Sequence, residues 1–329
     1  MCFDSKNNVL LGIVKQSFFY HNEETKEKNR PANKKESYRW IEHLRNNNKL
    51  YSNAIHVCDR EGDIFEMFIE LNKLKAQYVI RASSDRTLEE NSEKLFQALE
   101  NASLIGVYEE LIHDEIVTLE VKAIKIILAP PNRSAKQRSD NEFIYSSQPV
   151  NAVKVSGKMQ DGTMIDWVLL TNLSITNFNS CCQIISYYKQ RWHVEIFHKV
   201  LKTGYSLEEA RLENGDNLKK LIATISMEAV FVSSSIYAAR MPNPPNLTHY
   251  LMPDDEKALS MVMNKSVPLT LTEVVIFIAK KGGFIKTKKY PYPGVLTFFR
   301  GWIIVKSQIE IIKTILQSHV ITNKTNVIS

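Results

Sequence analysis

Cysteine is scarce and badly placed for a structural role: the 329 residues hold four, Cys2, Cys58, Cys181 and Cys182, with no C-x₂-C pair among them. That excludes a disulfide framework and gives no sign of a structural zinc site, so the four are read as reduced thiols. Long hydrophobic runs are lacking as well. No uninterrupted apolar stretch reaches the roughly 18 residues that cross a bilayer. The opening MCFDSKNN has neither the basic nor the apolar region of a secretory leader. The expectation is a cytoplasmic protein with no membrane partner. Internal repeats are missing too. Acidic residues thin out toward the end: over residues 257–329, eleven Lys and Arg face two acids, Glu273 and Glu310. This tail carries +9, while the formal charge of the whole chain is +6, leaving −3 for the rest. A solvated helical surface and an electrostatic footprint for a polyanion both fit that imbalance.

What is present is ordinary for a globular protein of two or three domains, with 44% hydrophobic and 24% charged residues. Residues 9–20 read as a buried strand followed by a charged loop, and residues 38–46 as a helix. A second buried strand ends at Asp59, a helix covers residues 62–76, and residues 77–83 form another strand. This alternation indicates an α/β sheet with polar residues gathered at strand ends. Between residues 103 and 166 the pattern turns to strand-like runs broken by the polar loop at residues 130–141. The strand at 166–172 returns to the core. Two long helices follow, at 180–202 and 216–240, and the Pro-rich MPNPPN at 241–246 breaks the chain. Beyond it, Thr270 and Glu273 have capping-box spacing before an apolar helix, and residues 298–316 form a last helix after Pro293-Gly294.

Within the helix expected at 180–202, Tyr188, Arg191, Glu195 and Lys202 stand at offsets of 0, 3, 7 and 14. At the rotation of an α-helix these four fall within an arc of roughly 60°. Ile196, Phe197, Val200 and Leu201 take the far side. A carboxylate framed by two cations and a phenol suits a metal-and-phosphate site. A surface helix with i, i+4 ion pairs would look the same in an arbitrary sequence.

The spacing Y-x₂-R-x₃-E-x₆-K, set in YYKQRWHVEIFHKVLKTG, resembles the signature of bacterial insertion-sequence-4-type DDE transposases. The block CDREGDI at 58–64 resembles that family's second catalytic Asp and the turn after it, and the likeness continues through residues 216–226 and, more weakly, through 282–284 and 301–302. The resemblance implies an RNase H-like α/β catalytic core with a β-rich insertion and a C-terminal helical domain. It implies boundaries at 1–102 for the first, incomplete part of the core, 103–165 for the insertion, 166–245 for the rest of the core and 246–329 for a dimerising helical region. Asp59 and Glu195 would be the catalytic carboxylates and the ligands of Mg²⁺ or Mn²⁺. Tyr188, Arg191 and Lys202 would grip phosphates of transposon-end DNA. Trp167 falls where the family stacks a flipped base, although a core aromatic at a strand start is an equal reading of the residue by itself. Arg81 matches a family arginine near the same pocket, and Trp192 either walls that pocket or packs. His193 and His198 are read as structural or phosphate-near, because hard Mg²⁺ prefers oxygen.

The implied partners are double-stranded DNA, both transposon ends and target, and a second copy of the chain in a synaptic complex. The place of action is the cytoplasm, at the nucleoid. One expected element is missing. The family's first catalytic Asp precedes the second by a full strand and more, and neither Asp4 nor Glu23, Glu24 and Glu27 matches it. The expectation is therefore an N-terminally truncated copy, with the first strand of the core absent and catalysis lost. A function of a different class stands beside it: a DNA-binding or dimerising fragment, with the basic segment 280–289 and Tyr290 and Tyr292 as its surface, that inhibits full-length enzyme.

Overall fold

The computed structural model describes residues 1–5, 9–18, 37–47, 53–112, 115–132, 143–212, 214–288 and 290–325. Glu23, Glu24 and Glu27, and most of the loop at 130–141, lie outside them. The chain forms two compact units, one of Tyr20–Arg191 and one of Met1–Phe19 with Trp192–Ser329.

The Tyr20–Arg191 unit is built on a six-stranded sheet of β3 (Ile55–Cys58), β4 (Gln77–Arg81), β5 (Leu104–Ile112), β6 (Glu115–Leu128), β7 (Gln148–Lys158) and β8 (Met164–Thr171), in the order β3-β4-β8-β7-β6-β5. β3 and β4 are parallel, and every other neighbouring pair is antiparallel. The strands at 103–166 therefore extend the same sheet that carries Asp59. Alternation along the strands covers both faces. Tyr78, Ile80, Val168 and Leu170 pack beneath α1 (Tyr38–Asn47), α2 (Phe65–Lys73) and α3 (Leu95–Asn101), whereas Val79, Val155 and Leu169 pack on α4 (Phe178–Lys189). Asn177 opens α4 with a reciprocal capping box to Ser180, which satisfies donors the helix cannot pair itself.

The other unit holds a short ladder of β1 (Cys2–Asp4) and β2 (Val9–Gly12), then α5 (Trp192–Lys199), a π-turn at Val200–Gly204, α6 (Gly215–Ala238), α7 (Pro253–Met263), α8 (Leu271–Lys281) and α9 (Val295–Thr325). The expected strand at 9–20 is thus cut to four residues. Leu11 and Val14 are exposed, so an apolar run here does not mark a core strand. The Thr270–Glu273 capping box at the head of α8 is present as expected. α6 corrects the reading of the apolar runs, since by length and composition it could span a membrane. Half of the relevant window is buried, however, and Ile225, Ala229, Val232 and Ile236 belong to the unit's core. Its serines interrupt the run in sequence without lowering the average enough to matter. α8 and α9 meet at two glycines. A Cβ on Gly301 would stand 1.8 Å from the Ile278 carbonyl oxygen, and one on Gly282 1.9 Å from that of Thr297.

Candidate active site

The expected helix at 180–202 is not continuous. α4 ends at Lys189, Gln190 and Arg191 form a turn, α5 begins at Trp192, and a π-turn replaces the α-helical hydrogen bonds from Val200. The one unbroken helix that the 60° arc presupposes is therefore not formed. No proline or glycine marks the turn at 190–191, so periodicity had nothing to detect. What holds the end of α4 is tertiary: Lys189 pairs with Glu110 on β5 and lies over the Tyr108 ring at 5.3 Å.

Five of the eight site residues lie in the Tyr20–Arg191 unit, and four of them form a chain of contacts. Asp59 follows β3, and its Oδ1 accepts a hydrogen bond from the Glu61 amide at 2.9 Å, capping a one-turn 3₁₀ segment. Gly62 closes that turn against Cys58, whose Cβ would lie 2.5 Å from a side chain there. The other carboxylate oxygen, Oδ2, stands 3.6 Å from an Arg191 guanidinium nitrogen. Arg191 lies over the Tyr188 ring at 5.8 Å, and Trp167 meets that ring edge-on at 5.6 Å. Arg81, at the end of β4, donates to the Asp166 carbonyl at 3.2 Å, beside Trp167. Tyr188 is 5% exposed, yet its hydroxyl is buried with no hydrogen-bond partner among the described residues. A buried hydroxyl left unpaired costs on the order of 1–3 kcal/mol, which a ligand oxygen would recover.

The other three site residues belong to the second unit. Trp192 is 59% exposed, Glu195 lies on α5, and Lys202 lies on the π-turn, paired with Glu208 at 2.8 Å. His193 is buried between Phe3 and Tyr237, and burial pulls its pKa down to about 4, so it stays neutral at ordinary pH. His198 is shifted down as well, by burial first and then by Lys202. Beside Asp59, burial pushes the Cys58 thiol up to about 12, with the Asp59 charge adding to it.

One functional residue has almost no signal in the sequence. Asp63, four positions after Asp59, has a fully buried carboxylate that accepts from the Ser83 amide at 2.7 Å, the Ser83 hydroxyl at 3.0 Å and Arg86 Nε at 2.9 Å. It fastens the turn after Asp59 to the loop after β4. All that marks it is a second Asp in the same short block. For a divalent cation the donor chemistry at Asp59 fits, since carboxylate oxygens suit hard ions. The number does not: among the described residues no three His, Cys, Asp or Glu gather closely enough to hold a metal ion.

A family model described as a transposase DDE domain matches residues 28–229, more than half of the chain.

Proposed function

The chain belongs to the transposase DDE domain family, and from that membership we propose that it is an insertion-sequence-4-type member whose Asp59–Arg191–Tyr188–Trp167 cluster receives transposon-end DNA. The observation that carries this reading is the Tyr188 hydroxyl, buried without a partner among the described residues, beside a guanidinium that now leans on Asp59. A phosphate oxygen supplies the acceptor the phenol lacks and a better partner for the arginine. Trp167, half-buried against Tyr188, offers its remaining face to a base displaced from the stack. Arg81 stands beside it to meet the backbone.

The lineage cuts and joins DNA, and the family resemblance gives Asp59 and Glu195 each the part of a carboxylate ligand to Mg²⁺ or Mn²⁺. Such an ion, when bound, would supply Lewis-acid chemistry to the phosphodiester. This polypeptide by itself is proposed to be catalytically silent. Asp59 and Glu195 alone match the family's carboxylates, while Asp4 sits on the small β1–β2 ladder. Incubation with its end DNA and Mg²⁺ is expected to give no cleavage, and cleavage abolished by Asp59→Ala would overturn that.

The binding claim is tested by comparing two DNAs, one fully paired and one with an unpaired base at its end. Stacking on an aromatic is worth about 1–3 kcal/mol per base. Trp167→Ala should therefore lower affinity for the unpaired-end DNA roughly tenfold or more and barely change binding to the paired one. Equal losses on both, or none, contradict the assignment.

A second reading draws on the exposed Lys280, Lys281, Lys286 and Lys288. With them the chain would act in the cytoplasm as a non-catalytic DNA-binding, dimerising protein that inhibits an intact transposase. Unchanged transposition on co-expression with an intact transposase would remove this reading.

A further inference from the structure

We propose that Tyr205 and Glu228 are positioning residues for Lys202, fixing the wide turn that presents its ammonium to a DNA phosphate. This rests on the assignment of Lys202 to phosphate made above.

Lys202 sits in the middle of the π-turn Val200–Gly204. The turn closes through the Tyr205 amide, which donates to the Val200 carbonyl five residues back at 3.0 Å. Such wide turns are less favourable than α-helix and persist where the surroundings hold them. Ser206, immediately after, adopts φ +48°, a left-handed conformation that is strained for serine. Two uncommon conformations in a row need an external clamp, and the packing supplies one.

Val200 and Leu201 are buried in the unit's core, whereas Lys202 is exposed. Gly204 lies flat on Phe299 of α9, where an added Cβ would be 3.2 Å from the ring. The Tyr205 ring meets Phe299 edge-on at 4.8 Å, and its hydroxyl donates to Glu228 Oε2 of α6 at 2.5 Å. Glu228 Oε1 is held in turn by Lys306 of α9. One phenol thus ties the residue after the π-turn to two helices at once. Burial alone would raise the Glu228 pKa, but the bonds from Lys306 and Tyr205 hold it below the ordinary carboxylate range, so the clamp stays charged at neutral pH. Lys202 meanwhile rests on exposed Glu208, a surface carboxylate that a phosphate would replace. Pairing of this kind is worth little in water and yields readily to a polyanion.

Neither clamp residue would touch the DNA, so a structural role and a positioning role must be separated by a readout specific to Lys202. Each phosphate contact adds about 0.9 to the slope of log affinity against log salt for duplex DNA. The experiment measures duplex binding by the full chain across salt, with thermal melts in parallel, for Lys202→Ala, Tyr205→Phe, their double variant, Glu228→Gln and Glu228→Ala. Expected are a slope lower by about one for Lys202→Ala and an affinity loss of about threefold to tenfold with a reduced slope for Tyr205→Phe. The double variant should match Lys202→Ala alone. Glu228→Gln, which keeps an acceptor for the phenol, should hold the parent slope, and Glu228→Ala should behave as Tyr205→Phe does.

If Lys202→Ala lowers the slope but Tyr205→Phe and Glu228→Ala do not, the positioning role is wrong and the phosphate contact stands. Losses that add in the double variant, or lower melts with an unchanged slope, overturn the positioning role in the same way. If Lys202→Ala itself changes nothing, the phosphate assignment falls and the clamp's proposed purpose with it.

Discussion

Tyr188 gives the site its clearest chemical signature, because its ring is satisfied while its hydroxyl finds no partner among the described residues. The ring packs against Trp167 and beneath Arg191, contacts that phenylalanine would keep. Removing only the hydroxyl relieves a buried unpaired group and costs the folded protein nothing it uses. Tyr188→Phe is therefore expected to melt at the parent temperature or a few degrees above it, while losing roughly fivefold in DNA affinity for one hydrogen bond. A clearly lower melt would show that the hydroxyl has a partner within the fold. The same residue shows what is legible in the sequence. Tyr188 and Arg191 can be named from their spacing and from resemblance, but the contact of Arg191 with Asp59 cannot, since it joins positions far apart in the chain through the sheet. Asp63 is hidden for a related reason: its six donors come from residues 83–86, and nothing in a short acidic block says where its partners lie.

At the scale of elements, periodicity serves well where one face is buried. β4 and β8 alternate between two cores, α2 follows the block after Asp59, and α8 begins at its capping box as expected. It fails where tertiary contacts decide. The turn between α4 and α5 has no helix breaker in it, and the π-turn carrying Lys202 is held by Tyr205, Phe299 and Glu228 rather than by local preference. The strands at 103–166 read correctly as strands, but their register onto β8 depends on pairings such as Val155 with Trp167, which no local pattern encodes. The α8–α9 crossing shows a third kind of dependence, on two absent side chains. Because a Cβ on Gly301 meets backbone, not a flexible side chain, the helices must separate to admit it. Gly301→Ala should destabilise by roughly 1–3 kcal/mol or more, and Gly282→Ala likewise. Their combination should cost less than the sum, since one separation accommodates both. Denaturant unfolding measures this, and a stability equal to the parent's would show that the crossing is looser than the structure has it.

At the scale of the molecule, the family match runs across the boundary between the two units and ends within α6. The signature is likewise divided, with Tyr188 and Arg191 closing one unit and Glu195 and Lys202 opening the other part of the chain. In the Tyr20–Arg191 unit, Arg191, now leaning on Asp59, is proposed to hold DNA. This has an unusual sign. Taking the charge from Asp59 removes its hold on the arginine, so without divalent cations Asp59→Asn should bind duplex DNA several-fold more tightly than the parent, by on the order of 1 kcal/mol for a partly exposed ion pair. Arg191→Ala should bind more weakly. The decisive measurement is the Asp59→Asn effect with Arg191 already replaced by Ala. If Arg191 is the group that grips DNA, the gain disappears in that background. A gain of the same size there would mean that Asp59 repels DNA only as a charge, and would contradict the role given to Arg191.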